Sequence, residues 1–295
     1  MTPAVAAAPG PTVAAALRTA ARRLGEVGIA TARQDAEALL ARALETTRLG
    51  LHTAGRAPVS GVALEAFEAL VARRARHEPV QYLLGETEFC GLVLAVGPGV
   101  FIPRPETEEL VNRALALGPS EAATVLDLCA GSGAIACALA VRRPGWTVWA
   151  IEQAAPAAAY ARVNVQRLGL GRRVRVLDGD LFAPLVGRVP AGAADLVGAN
   201  PPYLAAPLLP ALPVEVRDWE PPGAIDGGAD GLAVIRRLLA EAPAWLCPGR
   251  AALVEIGEEH GPVAAALADA DPRYAEVVVR RDFLGRERVL EARRR

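Results

Sequence analysis

A chain of 295 residues has room for one large or two modest domains, and 52% apolar against 22% charged residues is a globular composition that excludes an intrinsically disordered chain. A net charge of −1 excludes the strong overall electrostatic footprint of a nucleic-acid binder, and no apolar run reaches the roughly 18 residues that would span a bilayer. All 32 basic residues are Arg, which a GC-rich coding bias explains without a functional cause.

Residues 1–11 are Ala- and Pro-rich and are expected to form a disordered tail; they carry no basic region ahead of an apolar block, so they do not read as a secretory signal. Residues 12–85 read as a small helical domain. Thr12 can cap a helix with Val13, Leu17, Ala20 and Leu24 on one face; Leu39, Leu40 and Leu44 mark a second helix, and Leu64, Phe67, Leu70 and Val71 another. This stretch holds ten Arg against seven acids, +3, which leaves −4 for the rest. It shows no catalytic constellation and is expected to serve packing or recognition. In residues 86–103, Phe89, Leu92, Leu94, Val96, Val100 and Ile102 are interrupted by Gly91, Gly97 and Gly99, the pattern of a hairpin-like connector.

Residues 104–295 alternate strand and helix signals. Strands are expected at 124–128, 147–152, 174–177, 194–199, 251–256, 274–280 and 288–292, and helices at 134–142, 155–168 and 232–246. The last two strands lack a helix-length spacer and should pair antiparallel. The alternation predicts an α/β, doubly wound, mostly parallel seven-stranded sheet with ligands at the carboxyl ends of its strands.

Site chemistry falls where that rule puts it. Asp127-Leu128-Cys129-Ala130-Gly131-Ser132-Gly133 leaves the first strand and opens a helix, with Gly131 and Gly133 allowing close approach of a ligand to the backbone. Glu152 ends the second strand, where a carboxylate can accept from both hydroxyls of a ribose. Gly131, Gly133 and Ala136 also satisfy the dinucleotide fingerprint, so these features alone leave NAD open. Asn200-Pro201-Pro202-Tyr203 closes the fourth strand. Two prolines lock the backbone and donate nothing, leaving the Asn200 and Pro201 carbonyls as acceptors beside a side-chain amide and an aromatic ring. That set suits gripping a planar NH2 group, as found on glutamine, adenine or cytosine, while a ring covers its face. A hydride-transfer enzyme has no evident use for it. Cys90, Cys129, Cys137 and Cys247 form no C-x-x-C pair, and His52, His77 and His260 are scattered; free buried thiols and no metal site are expected.

Further stretches extend the pattern: Pro79-Val80-Gln81-Tyr82-Leu83-Leu84-Gly85, Ile102-Pro103-Arg104-Pro105-Glu106-Thr107-Glu108, Glu220-Pro221, Gly227-Gly228-Ala229-Asp230-Gly231-Leu232, Leu253-Val254-Glu255-Ile256-Gly257 and Asp282-Phe283-Leu284-Gly285-Arg286-Glu287-Arg288-Val289. With them the chain resembles, over nearly its whole length, the HemK/PrmC family of peptide chain release factor N5-glutamine methyltransferases. The resemblance implies a Rossmann-like methyltransferase domain using S-adenosylmethionine as methyl donor. The acceptor it implies is the glutamine of the Gly-Gly-Gln loop in class-1 release factors. Asp127 and Cys129, Ala130, Gly131, Ser132 and Gly133 would lie at the methionine end of the donor, Glu152 at its ribose, and Asp180 and Leu181 at its adenine. Asn200 would sit between donor and acceptor, with Asn200, Pro201, Pro202 and Tyr203 binding substrate and Asn200, Pro201 and Tyr203 catalytic. The family usually has Gly at Cys129 and Asp at Glu152; Cys129 implies that its position does not require a positive φ. A cytoplasmic monomer is expected, with no membrane or nucleic-acid partner. The alternatives are an amino methyltransferase acting on adenine in DNA or RNA, disfavoured by the −4 balance of residues 86–295, and a binding protein without turnover.

Overall fold

The structure is a computed structural model that describes residues 10–295; most of the expected tail, residues 1–9, lies outside the described residues. The chain separates into two compact units, one running up to Gly85 with the later segment Val214–Trp219, the other comprising Glu86–Pro213 and Glu220–Arg295.

The first unit is helical. Helix α1 (Val13–Glu26) starts at Thr12, whose hydroxyl accepts from the Ala15 amide at 3.3 Å, and buries Val13, Ala16, Leu17, Ala20 and Leu24 along one face. That face packs on α2 (Ala32–Ala43), where Leu39 and Leu40 are fully buried. Helix α3 (Arg48–Thr53) was not foreshadowed by any periodic run. Helix α4 (Gly61–Arg74), capped by Ser60, contributes Phe67 and Val71, and α5 (Val80–Leu84) ends at Gly85 with φ +76°. Arg74, though 2% exposed, is fully engaged: Nε donates to Asp35 at 2.7 Å, Nη1 to the Glu78 carbonyl at 3.1 Å, and Nη2 to Glu215 of the later segment. A buried guanidinium is tolerable only with such partners.

The second unit begins with the antiparallel hairpin β1 (Glu86–Phe89) and β2 (Leu92–Ala95), turning through Cys90 and Gly91 at φ +52° and +75°. Two-residue hairpin turns of this hand need both φ values positive, which Gly91 meets freely and Cys90 at some cost. Helix α6 (Glu108–Leu117) follows a single 3-10 turn at Pro105–Thr107. The main sheet then alternates: β3 (Ala123–Leu128), α7 (Ala134–Arg142), β4 (Trp146–Glu152), α8 (Ala155–Arg167), β5 (Val174–Asp178) and β6 (Ala194–Ala199), a helix at Ala233–Trp245, β7 (Leu246–Glu255), a helix at Gly261–Asp269, β8 (Tyr274–Arg281) and β9 (Glu287–Arg294). All seven sheet strands fall at the expected places. Strand β7 starts five residues earlier than the apolar run suggested, because Leu246 pairs with Ala194 across an irregular step.

Strand order is β5-β4-β3-β6-β7-β9-β8, parallel through β7, with β9 antiparallel to both β7 and β8. The chain winds outward from β3 through β4 to β5, then returns to lay β6 on the other side of β3. Between β3 and β6 is therefore the switch point where the carboxyl ends open a crevice. Leu126, Leu128, Val197 and Val254 are buried on the strands, and helices cover both faces of the sheet. All four cysteines are free, but only Cys137 is buried; Cys90, Cys129 and Cys247 are half-buried, since each lies in a turn or at a strand end and not on a core face. Among the described residues no helix is long and apolar enough to cross a membrane.

Candidate active site

Register fixes which residues meet at the crevice. Leu128 of β3 lies opposite Ile151 of β4 and Ala199 of β6, and Ala199 lies opposite Val254 of β7. The next residues, Glu152, Cys129, Asn200 and Glu255, therefore stand in a row at the carboxyl edge: Cys129 and Asn200 have just left their strands, while Glu152 and Glu255 are the last residues of theirs and still pair with Asp178 and Val289. Three of these four were marked by the sequence. Glu255 lies in a stretch that carries the family resemblance but was given no role of its own, since its run reads as a buried strand.

The loop after β3 is built around carboxylates. Asp127 is fully buried; Oδ2 accepts from the Ala136 amide at 3.0 Å, tying strand to helix, while Oδ1 has no partner among the described residues. Burial pushes its carboxyl up to about 8, opposed by the Ala136 bond and reinforced slightly by the charge of Glu152. Glu152 is 8% exposed and is gripped by two backbone donors, Gly131 N to Oε2 and Ala154 N to Oε1, both at 2.8 Å. It thereby organises the glycine loop as well as facing the crevice. Cys129, Gly131 and Gly133 all have positive φ, +55°, +56° and +75°. The expectation that Cys129 occupies an ordinary backbone region is therefore wrong: the turn imposes the left-handed conformation and the cysteine side chain tolerates it at a cost of order 1 kcal/mol. A Cβ on Gly131 would meet nothing within 4 Å, so its face is open to a ligand; one on Gly133 would meet Ala161 Cβ at 3.2 Å, so that glycine serves helix packing. Ala130 and Ser132 are buried, and Ser132 Oγ has no partner among the described residues.

Asp180 and Leu181 follow β5. Leu181 is 4% exposed and at φ +44°, joining the apolar core. Asp180 is exposed and held by Arg237, whose Nη2 donates to Oδ2 at 2.6 Å. Sequence reasoning did not foresee this partner, 57 residues away.

Asn200 caps β6. Its Nδ2 donates to Thr107 Oγ1 at 3.2 Å, so Oδ1 is the end left for the crevice. Among the described residues neither the Asn200 nor the Pro201 carbonyl accepts a backbone hydrogen bond. Pro201 is buried, and Pro202 and Tyr203 are half-buried. Past Tyr203 the chain is fastened: Leu204 N donates to the Ile225 carbonyl at 3.0 Å and Gly227 N to the Leu204 carbonyl at 2.8 Å. Tyr203 Oη donates to Glu255 Oε1 at 3.3 Å. Burial, then the Glu255 charge, pushes the phenol up. Glu255 is 1% exposed. Burial pushes its carboxyl up to about 7, while hydrogen bonding from Thr107, the charge of Arg288 and hydrogen bonding from Tyr203 oppose the shift and Glu106 adds to it. Thr107 and Glu255, both inside stretches the sequence singled out, thus belong to the site although no role was assigned to either.

The connector is locked beside this cluster. Ile102 N donates to Glu220 Oε2 at 3.2 Å, Arg104 pairs with the same carboxylate, and Arg286 Nη2 donates to Glu106 at 2.8 Å. Among the described residues no group of three or more His, Cys, Asp or Glu side chains is placed to hold a metal ion.

Comparison with known proteins agrees with this architecture. Residues 15–85 match the PrmC N-terminal domain and residues 107–207 the methyltransferase small domain. The chain is 42% identical over 279 residues to the release factor glutamine methyltransferase of Mycolicibacterium smegmatis, covering 95% of this chain and 96% of that one. It is 40% identical over 285 residues to the enzyme of the same name from Moorella thermoacetica, covering 96% and 99%. Among solved structures, a methyltransferase from Pyrococcus furiosus superposes with a TM-score of 0.51 at 21% identity, covering 69% of this chain and 89% of that one; at that identity it shows the fold. The chain belongs to the release factor glutamine methyltransferase family.

Proposed function

We propose that the chain transfers a methyl group from S-adenosylmethionine to the side-chain amide nitrogen of the glutamine in the Gly-Gly-Gln motif of class-1 peptide chain release factors. The observation that carries this reading is the orientation of Asn200 at the switch point. With its nitrogen engaged by Thr107, its oxygen and the free Pro201 carbonyl form a pair of acceptors matched to the two hydrogens of a planar NH2 group.

The residues beside β3 and β4 fit the donor. Two buried polar atoms at the loop, Asp127 Oδ1 and Ser132 Oγ, lack partners among the described residues, and the face of Gly131 is open. A cationic amino-acid end suits the partnerless Asp127 oxygen, on a carboxyl that burial otherwise keeps protonated near neutral pH. Cys129–Gly133 would hold that end. Glu152 would hold the ribose: each of its oxygens has one lone pair committed to a backbone amide and one to offer. Asp180 and Leu181 would border the adenine. When bound, the donor supplies a methyl group already activated on a sulfonium.

The acceptor amide nitrogen is a weak nucleophile because its lone pair is delocalised into the carbonyl. Asn200 Oδ1 and the Pro201 carbonyl hold its two N–H groups, aim the nitrogen at the methyl, and stabilise the positive charge that grows on it. Pro202 keeps the backbone fixed and offers no competing donor. Tyr203 covers the amide face, its hydroxyl tethered to Glu255. To the helical residues 12–85, which hold no such chemistry, we assign recognition of the factor outside its glutamine loop. The reading with adenine as acceptor lacks support in the −4 balance of residues 86–295.

The test is incubation with methyl-labelled S-adenosylmethionine and purified release factors, DNA and RNA, with the modified residue located by mass spectrometry. Label on the Gly-Gly-Gln glutamine is expected. Label on nucleic acid with none on the factor would overturn the assignment.

A further inference from the structure

We propose that Asn164 is a positioning residue for the methyl donor: from helix α8 it fixes the peptide plane between Ser132 and Gly133 and so holds the glycine loop in its donor-binding shape. This inference rests on the reading of Cys129–Gly133 given above and extends it to a fully buried residue behind the loop.

Among the buried residues of α8 only Asn164 is polar; the others are Ala157, Ala158, Ala161 and Val165. An apolar side chain is the ordinary choice at such a position, and a buried carboxamide is tolerable only when its hydrogen-bonding groups are met. Backbone groups meet them. Oδ1 accepts from Ala95 N at 2.6 Å, while Nδ2 donates to the Ala95 carbonyl at 3.0 Å and to the Ser132 carbonyl at 2.9 Å. The two Ala95 bonds decide which end of the amide lies where, because a backbone N–H can meet only the oxygen. The second hydrogen on Nδ2 is then aimed at Ser132. The end of β2 orients Asn164, and Asn164 in turn holds the loop.

Ser132 sits where the loop needs an anchor. It is buried, and the bond from Asn164 is the one its carbonyl accepts among the described residues. The other edge of the same peptide plane is Gly133 N, which donates to the Ala130 carbonyl at 2.8 Å. This plane is therefore pinned on both sides. Its neighbour, between Gly131 and Ser132, makes no hydrogen bond at either edge among the described residues, which leaves the Gly131 carbonyl and the Ser132 amide for the donor. A second contact of α8 agrees: a Cβ on Gly133 would meet Ala161 Cβ at 3.2 Å, one helical turn before Asn164. The helix thus backs the loop at two successive positions. Without Asn164 the Ser132 carbonyl becomes a buried acceptor with no partner. Rotating the plane toward water in the crevice relieves that, but gives up the Ala130 bond and puts an oxygen into the donor's space. The loop is then no longer preorganised, and donor binding must restore it.

Titration calorimetry of the full chain with S-adenosylmethionine and with its demethylated product tests this, alongside Tm. Asn164→Leu is close in size and removes all three bonds; donor affinity should fall roughly 5- to 50-fold, the scale of one or two hydrogen bonds. Ala159→Gly, an exposed change in the middle of α8, is the control for stability alone: Tm should fall while donor affinity stays within about twofold. Asn164→Asp keeps the shape and separates the roles by pH. Ionised, it still accepts from Ala95 N, but its second oxygen faces two carbonyls; protonated, it can donate to one of them. Its donor affinity relative to wild type at the same pH should therefore recover as pH falls from about 9 to about 6, whereas the ratio for Asn164→Leu stays flat. If Asn164→Leu does not fold, the pH dependence of Asn164→Asp decides alone. Donor affinity within about twofold of wild type in Asn164→Leu, an equal loss in Ala159→Gly for the same fall in Tm, or a flat ratio for Asn164→Asp overturns the inference while the functional reading stands. A wild-type chain that binds neither S-adenosylmethionine nor its product overturns both.

Discussion

Glu152 offers the most direct test of how the donor site is built. In Glu152→Gln one carboxylate oxygen becomes an NH2 group. Whichever way the new amide turns, that NH2 faces a backbone donor, either Gly131 N or Ala154 N, each now 2.8 Å from an oxygen. A hydrogen bond to a charged acceptor contributes about 1.5–3 kcal/mol, and the remaining bond weakens as the charge disappears. The opposing effect is relief of repulsion with Asp127. It is small, because burial comes before Glu152 among the causes of the Asp127 shift, and a group pushed up to about 8 is largely protonated at neutral pH. Loss therefore wins. Part of it appears as a looser loop in the free protein and part as weaker donor binding. With about 1.4 kcal/mol per tenfold, the affinity for S-adenosylmethionine should fall roughly 10- to 100-fold. Titration calorimetry with the donor and with its demethylated product measures this, alongside Tm. Binding within about threefold of wild type, with Tm unchanged, would refute the dual role assigned to this carboxylate.

Three further expectations rest on the same geometry. Cys129→Gly relieves a left-handed backbone at φ +55° and should stabilise the protein by about 1 kcal/mol, read as a rise in Tm; a fall would mean that the thiol's packing outweighs the strain. The Glu255 carboxyl, pushed up to about 7 by burial, binds its proton more tightly folded than unfolded, so its contribution to stability is full below the ordinary carboxylate range and is lost as pH rises through about 7. The Tm of Glu255→Gln relative to wild type should therefore rise between about pH 5 and pH 8, and a flat difference contradicts the shift. Reversing the charge of the exposed Arg18 and Arg22 on α1 should reduce kcat/KM for an intact release factor and leave that for a short Gly-Gly-Gln peptide unaltered; equal effects on both would make the helical residues merely structural.

Much of this molecule is written locally in its sequence. Thr12 with its 3.6-residue apolar stripe specifies α1, and the apolar runs ending at Leu128, Glu152 and Ala199 specify strands whose ends carry the chemistry. The two prolines after Asn200 dictate free carbonyls wherever the strand lies, because proline's constraint is covalent. What the sequence left undecided depends on contacts between residues far apart along the chain. Thr107 meets Asn200 across 93 positions, and Arg237 meets Asp180 across 57. No periodicity encodes such pairs, because they exist only once the sheet order is set. The same order puts β7 next to β6 and so brings Glu255, outwardly one more residue of a buried strand, beside Asn200 and within reach of the Tyr203 hydroxyl. Backbone conformation at Cys129 belongs to the same class: the turn between β3 and α7 imposes the positive φ, and the residue type accommodates it. Local chemistry selected the reactive groups, and the register of the assembled sheet decided how they are aimed.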